Sequence, residues 1–303
     1  MDKFLILTKR NISVYIRDKG AVFFSLLSML IVICLMVFFL GDMNIDAITS
    51  LLAKFPGRDA VKDKENAELL VLSWTSAGIV SINAVTVTLA VYSGMIKDRV
   101  NGKLNSIYTA PISRITIACA YVAAAWMASV IMCTLTLVIT EVYGIMQGMN
   151  AYSVAKHVEL LGLIMANSFV FAALMYPLTM IAKTEGAWSG FGTVVGTLVG
   201  FLGGIYIPIG GLSDSIGNLM KCTPVIYGSS MFRSVMSETI IEDTFVGVPQ
   251  DVVSVYRAEM GIDITVFERL LTVRDEWIIL LVCGIMFLAI SAIMLRYSKK
   301  SDR

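Results

Sequence analysis

MIKDRVNGKLNSIYTAPISRITI, residues 95–117, is the stretch whose reading decides the fold. It carries Lys97, Arg99, Lys103 and Arg114 against a single acid, Asp98, and it separates two uncharged runs, 69–96 and 115–140, each long enough to cross a bilayer. A basic loop between two spans belongs in the cytoplasm. Within it, Gly102 is followed by a short amphipathic piece, Leu104, Ile107 and Tyr108, that Pro111 stops. Proline halts a helix and apolar side chains need cover, so the pattern predicts a short surface helix rather than a slack linker. Such a helix is a handle for a cytoplasmic partner.

Composition agrees with a membrane setting. Hydrophobic residues make up 57% of the 303 and charged ones only 16%, where a soluble domain has about 25% charged. Mean hydropathy is +0.78. The net charge of +1 points to no nucleic-acid partner. Four of the five cysteines, Cys34, Cys119, Cys133 and Cys283, fall inside apolar runs and leave Cys222 alone, so no disulfide framework is expected.

Outward from the loop, the reading gives an all-α integral membrane protein with six transmembrane helices in one domain, 1–303. The spans are expected at about 20–41, 70–96, 116–140, 160–182, 187–207 and 277–295. Residues 1–19 hold five basic residues; Lys3, Arg10, Ser13 and Arg17 share one side of a helical wheel, with Leu5, Ile12, Tyr15 and Ile16 opposite. This piece is either an amphipathic interfacial helix or a plain positive flank. With both termini inside, the short inner segments hold fourteen Lys/Arg and the longer outer ones ten. That bias fits a multi-pass protein of a bacterial plasma membrane with both ends cytoplasmic.

Three further features stand out. In the second span Ser73, Ser76, Asn83, Thr86 and Ser93 recur on roughly one side, and such a stripe either lines a transport path or ties helices together. In the fifth, Gly192, Gly196, Gly200 and Gly204 recur every four residues, a face that another backbone can approach closely, whether as helix packing, a subunit interface or a cavity wall. The four-residue link 183–186 predicts that the fourth and fifth spans are antiparallel neighbours. After the fifth span the chain is apolar, yet Pro208, Gly210, Gly211, Gly217 and Pro224 divide it, which predicts short re-entrant or interfacial external helices. Residues 252–260 are expected to form a short helix beyond them.

Taken together, these parts resemble the permease subunit of type-2 ATP-binding-cassette (ABC-2) exporters. The loop resembles the family's pattern at Asp98, Arg99, Gly102, Lys103, Leu104, Ile107, Ala110, Pro111, Ile112, Ser113 and Arg114, departing from it at Val100, Lys103 and Ala110. A second match follows span five at Gly203, Gly204, Tyr206, Pro208, Leu212, Pro224 and Arg233. The resemblance implies a dimer with a second permease copy or a related permease, in contact with membrane lipid and with cytoplasmic ABC ATPase subunits. It also implies that ATP and magnesium bind on those ATPases, with the loop carrying their motion into outward transport.

Independently, the chain has no G-x-x-x-x-G-K-[ST] phosphate loop, so it is not expected to be an enzyme in its own right or to bind a cofactor. His157 is the only histidine, too few for a metalloprotease centre. The six uncharged runs lack the intramembrane acids and bases that a proton-coupled carrier or a channel carries. An ATPase-independent carrier or channel is the alternative reading. A polar but uncharged second span and an apolar external segment favour an amphipathic or hydrophobic cargo: a drug-like molecule, an antimicrobial peptide or a lipid-like compound.

Overall fold

The computed structural model describes residues 2–35 and 41–301. Helices α1 (Asp2–Arg17), α2 (Lys19–Leu35) and α3 (Gly41–Leu52) lead into α4 (Ala60–Val100), after which α5 (Lys103–Thr109) joins α4 to α6 (Arg114–Met146). Then come α7 (Val154–Ile181), α8 (Glu185–Leu202), a 3-10 turn at Ile209–Gly211, α9 (Asp214–Lys221), α10 (Pro224–Thr244) and α11 (Gln250–Glu259). A two-stranded antiparallel hairpin, β1 (Thr265–Val266) and β2 (Arg269–Leu270), precedes α12 (Val273–Ser301).

Everything is built on α4. It touches α6, α10, α7, α3, α8, α2, α1 and α5, and its most apolar window is 78% buried, whereas that of α12 is only 17% buried. Over its window the polar side chains of α4 are uncharged and most bond within the bundle, so it offers no charged face to solvent and becomes the axis of the bundle. The neighbours are held by polar groups as well as by packing. Tyr92 donates to the Ala172 carbonyl at 2.6 Å, Trp126 to Met165 at 2.9 Å and Trp74 to Met260 at 2.8 Å. In the middle, Asn167 donates to the Ser81 carbonyl at 2.9 Å, Ser229 to the Ser81 hydroxyl at 3.2 Å and Ser129 to Ser168 at 2.9 Å. Where lipid offers no hydrogen bonds, side chains of this kind join helices that hydrophobicity alone does not drive together.

By length and composition, four helices among the described residues can cross a membrane: α4, α6, α7 and α12. The expected first span is α2, 17 residues long; residues 36–40 of that span lie outside the described residues. The expected fifth span ends early. α8 is 18 residues, its glycines dilute its hydropathy, and at Gly203 and Gly204 (φ +64°) the chain turns, so 203–207 is not helix. The second span is longer than 70–96 because the polar residues from Ala60 onward continue the same helix, capped by Asp59, which accepts from the Val61 amide at 2.9 Å.

Two expectations are corrected. α8 packs chiefly against α4 rather than along α7. Trp188 explains why: its indole donates to the Leu89 carbonyl at 3.1 Å and meets the Tyr92 ring edge-on, which draws α8 toward α4 as soon as the short link is passed. Nor does the chain after Pro224 fall into short pieces. Proline in the first turn starts a helix, and α10 runs 21 residues, nearly all of its first half buried against α4. The expected short helix at 252–260 is α11, which packs with α3, the start of α4 and the end of α10 in a second apolar cluster around Trp74 and Leu70.

Candidate functional site

At the crossover, α4 ends on three charged residues that are already engaged within the chain. Asp98 is buried, paired with Arg10 of α1, and accepts from the Tyr121 hydroxyl of α6 at 3.2 Å. Arg99 donates to the Thr179 carbonyl at 2.6 Å and the Ala182 carbonyl at 3.1 Å, closing the C-terminal end of α7 where carbonyls lack helix partners. Lys97 reaches Asp18, between α1 and α2, at 3.3 Å. The Ala21 amide, with Lys97, holds the Asp18 carboxyl below its ordinary range. Lys3 completes the ring by donating to the Pro111 carbonyl at 2.9 Å.

Beyond this ring the chain turns outward. Gly102 has φ +71°, a left-handed conformation that costs other residues a β-carbon clash, and it begins α5. Leu104 is buried and Ile107 half-buried, whereas Lys103, Asn105, Ser106, Thr109 and Pro111 are exposed. Ser113 then caps α6 by accepting from the Thr116 amide at 3.0 Å. Arg114, half-buried, opens that helix. The result is a short helix pinned by one apolar edge, presenting a polar edge outward, with its base tied to α1, α6 and α7. Of the loop residues singled out in the sequence, Asp98 and Arg99 face inward; Lys103 and Pro111 face out.

Next to the crossover, α2, α4 and α8 border an open cavity of about 780 Å³. Thr86 and Ser93 line it from α4, Ser25 from α2, and Gly192, Thr193 and Gly196 from α8. A β-carbon built on Gly192 or Gly196 meets nothing within 4 Å. Further along, Gly200 lies beneath the Tyr206 ring, and Gly203, just past the end of the helix, lies against Ser229 and Ile82. The polar stripe of α4 divides likewise. Ser73 donates to the Met236 carbonyl at 2.9 Å and Asn83 to Thr136 at 2.7 Å, tying helices together, while Thr86 opens on the cavity and donates to the Asn83 carbonyl at 3.1 Å. Ser76 faces a different space, a groove at the other end of α4.

The matched segment after α8 is a structural closure. Pro208 and Leu212 bracket the 3-10 turn, and Pro224 opens α10. Arg233 is fully buried with its guanidinium 4.2 Å from the Trp74 ring centroid, and it donates to the Gly203 and Gly204 carbonyls at 2.9 and 3.0 Å. One side chain therefore fastens the turn after α8 to α10 and to the head of α4.

With this geometry in hand the family can be decided. The family model for ABC-2 type transporters matches residues 2–237, from α1 through most of α10. The chain belongs to the ABC-2 type transporter family. No curated protein matches it. An ABC-2 permease is a transmembrane component without an ATPase site of its own, and the family in general works with ATPase partner subunits. In this ABC-2 permease Tyr121 and Trp188 carry no sign in the sequence, and Arg10 shows only as part of the polar side of α1; together they hold the crossover and α8 in place. Their partners lie between 23 and 111 residues away along the chain, so local spacing carried no sign of them.

Proposed function

We propose that this ABC-2 permease crosses the membrane six times, with α2 and α8 joining the four long helices, and that both of its ends are cytoplasmic. ATPase subunits, holding ATP and magnesium, grip α5. Their closure pulls on the ring of Asp98, Arg99 and Arg10, and so on α1, α4, α6 and α7 together. A second permease copy or a related one faces the α2–α4–α8 side, where Gly192 and Gly196 leave room for its backbone, and the cavity there is one wall of the path. On this reading α1 lies at the inner interface: Leu5 and Ile16 are exposed toward lipid, Lys3 and Arg17 toward water, and Thr8, Asn11 and Tyr15 are buried against the bundle. The segment from Pro208 through α10 is the outer closure, and the cargo is exported outward as an amphipathic or hydrophobic compound.

The observation that carries this reading is the contrast within the loop: its charged base is satisfied inside the chain, while the polar edge of α5 is exposed. A solvated loop needs no such anchoring, whereas a part that transmits force does. Two measurements test it. The permease co-expressed with ABC ATPase candidates encoded beside it is expected to co-purify with one. In a cysteine-free background, Ser106→Cys is expected to react with a membrane-impermeant maleimide only after the cells are opened. Labelling in intact cells, or transport by the permease alone, would return the function to an ATPase-independent carrier or channel.

A further inference from the structure

The end of α4 away from the crossover borders a groove of about 800 Å³ that the reading above leaves without a role. One face of α4 forms its floor: Glu65, Glu68, Leu72, Ser76 and Ile79 line it, and their steps of three and four residues place them in one row. At 1.5 Å per residue this row is about 21 Å long. Ile139 and Tyr143 of α6 and Gln147 just past its end form one wall, Leu30 of α2 and Ile45 of α3 the other, and Asp42 at the start of α3 also lines it. Polarity is therefore graded, with acids at the mouth, apolar side chains along the body and a hydroxyl further in.

Three observations say what this shape is for. First, Asp42, Glu65 and Glu68 have no cationic partner among the described residues, although Asp63 in the same segment is paired with Arg58 at 2.7 Å. Second, Ser76 is 5% exposed and lines the groove, yet its hydroxyl has no hydrogen-bond partner among the described residues. Thr75 beside it bonds back to the Val71 carbonyl at 2.7 Å, the usual resort of a hydroxyl in a helix. A hydroxyl on an otherwise buried residue that opens on a groove and is not used within the chain is available to a ligand. Third, the carboxylates do not converge: among the described residues no three His, Cys, Asp or Glu gather closely enough to hold a metal ion. Acids spread around the mouth of an apolar groove suit an organic cation better than a bare one.

We infer that this groove binds a small cationic amphiphile, with its positive end at Glu65 and Glu68, its apolar body along Leu72 and Ile79, and a polar atom on Ser76. The volume lies within the range of drug-sized sites. The groove and the crossover cavity share no lining residue, and Asn83, bonded to Thr136, lies between their residues along α4, so the two are successive stations rather than one space. The inference deepens the proposed export by naming the class of cargo, and rests on that proposal only for the direction of movement; binding itself needs no ATPase.

The test uses the full chain in phosphatidylcholine nanodiscs, without ATPase, and reads fluorescence anisotropy against empty nanodiscs. The probes are rhodamine 6G, a cation carrying amine, ether and ester groups, and fluorescein, which shares its ring frame and is anionic. Saturable binding of rhodamine 6G and none of fluorescein is expected. Glu65→Gln with Glu68→Gln should weaken rhodamine 6G about tenfold, the change in affinity that corresponds to losing a close charge pairing. Ser76→Leu should abolish it by filling the groove. The thermal midpoint of the Gln pair should stay at that of the parent, because both side chains are exposed. Equal binding of the two dyes, or unchanged rhodamine 6G affinity in the Gln pair, would overturn the inference. Co-purification with the ATPase, followed in the same preparations, reports on the export reading separately.

Discussion

The two halves of α8 carry one sequence rhythm and opposite surroundings. Toward its C-terminal end Gly200 fits under Tyr206, Gly203 abuts Ser229 and Ile82, and Gly204 turns the chain at φ +64° so that Arg233 can reach two carbonyls. Toward the crossover, Gly192 and Gly196 have the same four-residue step and nothing beside them. A missing side chain thus does two jobs. At one end it lets the chain close on itself, and at the other it leaves a surface clear, which the proposed second permease would cover. Spacing reveals the ridge; only the neighbours decide whether it is filled.

Substitutions can break that contrast at either end. The largest effect is expected from Arg233→Ala, which leaves the Gly203 and Gly204 carbonyls without their donor and opens a void over Trp74; the loss should be about 3–5 kcal/mol. Tryptophan fluorescence during thermal unfolding would register it, and a midpoint equal to the parent's would mean that the closure is not held there. Next comes Gly200→Ala, whose methyl group collides with the Tyr206 ring and is expected to cost about 1–3 kcal/mol. Asn83→Leu removes one interhelical bond between the packed and open halves of α4 and should cost about 0.6–1.7 kcal/mol, the range found for such bonds in membranes.

The smallest effect on the single chain marks the open half. Gly196→Leu is expected to leave the thermal midpoint of the isolated permease no lower, since leucine favours helix over glycine by nearly 1 kcal/mol. If the proposed second permease packs there, dimer yield and transport should nevertheless fall, because the side chain would fill the space its backbone needs. If assembly and flux are normal in that variant, the open half has no occupant and the contrast loses its meaning. At the crossover, Gly102→Pro and Arg99→Glu probe the force path in the same spirit. Both should leave ATP hydrolysis in the assembled complex running while transport drops, and unchanged coupling in both would remove α5 from the mechanism.

What the sequence made legible follows from what is local. Long uncharged runs report their own length, so α4, α6, α7 and α12 are visible in it, as are the glycine turn before α5 and the proline after it. The polar start of α4 is not, because Ala60–Glu68 has the composition of an external loop and becomes helix by packing with α3 and α11. Pro224 was misleading for a plain reason: a proline that opens a helix and one that interrupts it look alike until the helix is seen. The inward turn of Asp98 and Arg99 was equally hidden, since their partners Arg10 and Thr179 are 88 and 80 residues away. Within the polar stripe of α4, spacing could not separate Ser73 and Asn83, which bind helices, from Thr86 and Ser76, which face open space.

α4 is one uninterrupted rod of 41 residues, about 60 Å from end to end at the usual helical rise. Its crossover tip is tethered by salt links to α1 and to Asp18 and leads directly into α5, on which a motor is proposed to pull, and its other reach forms the floor of a compartment with acidic residues. A stiff beam of that length pivoting about its middle by about 5° would displace either tip by roughly 2.5 Å, with the tips moving in opposite directions. Traction at one surface would then widen or narrow the opening at the other with no relay of intermediate contacts.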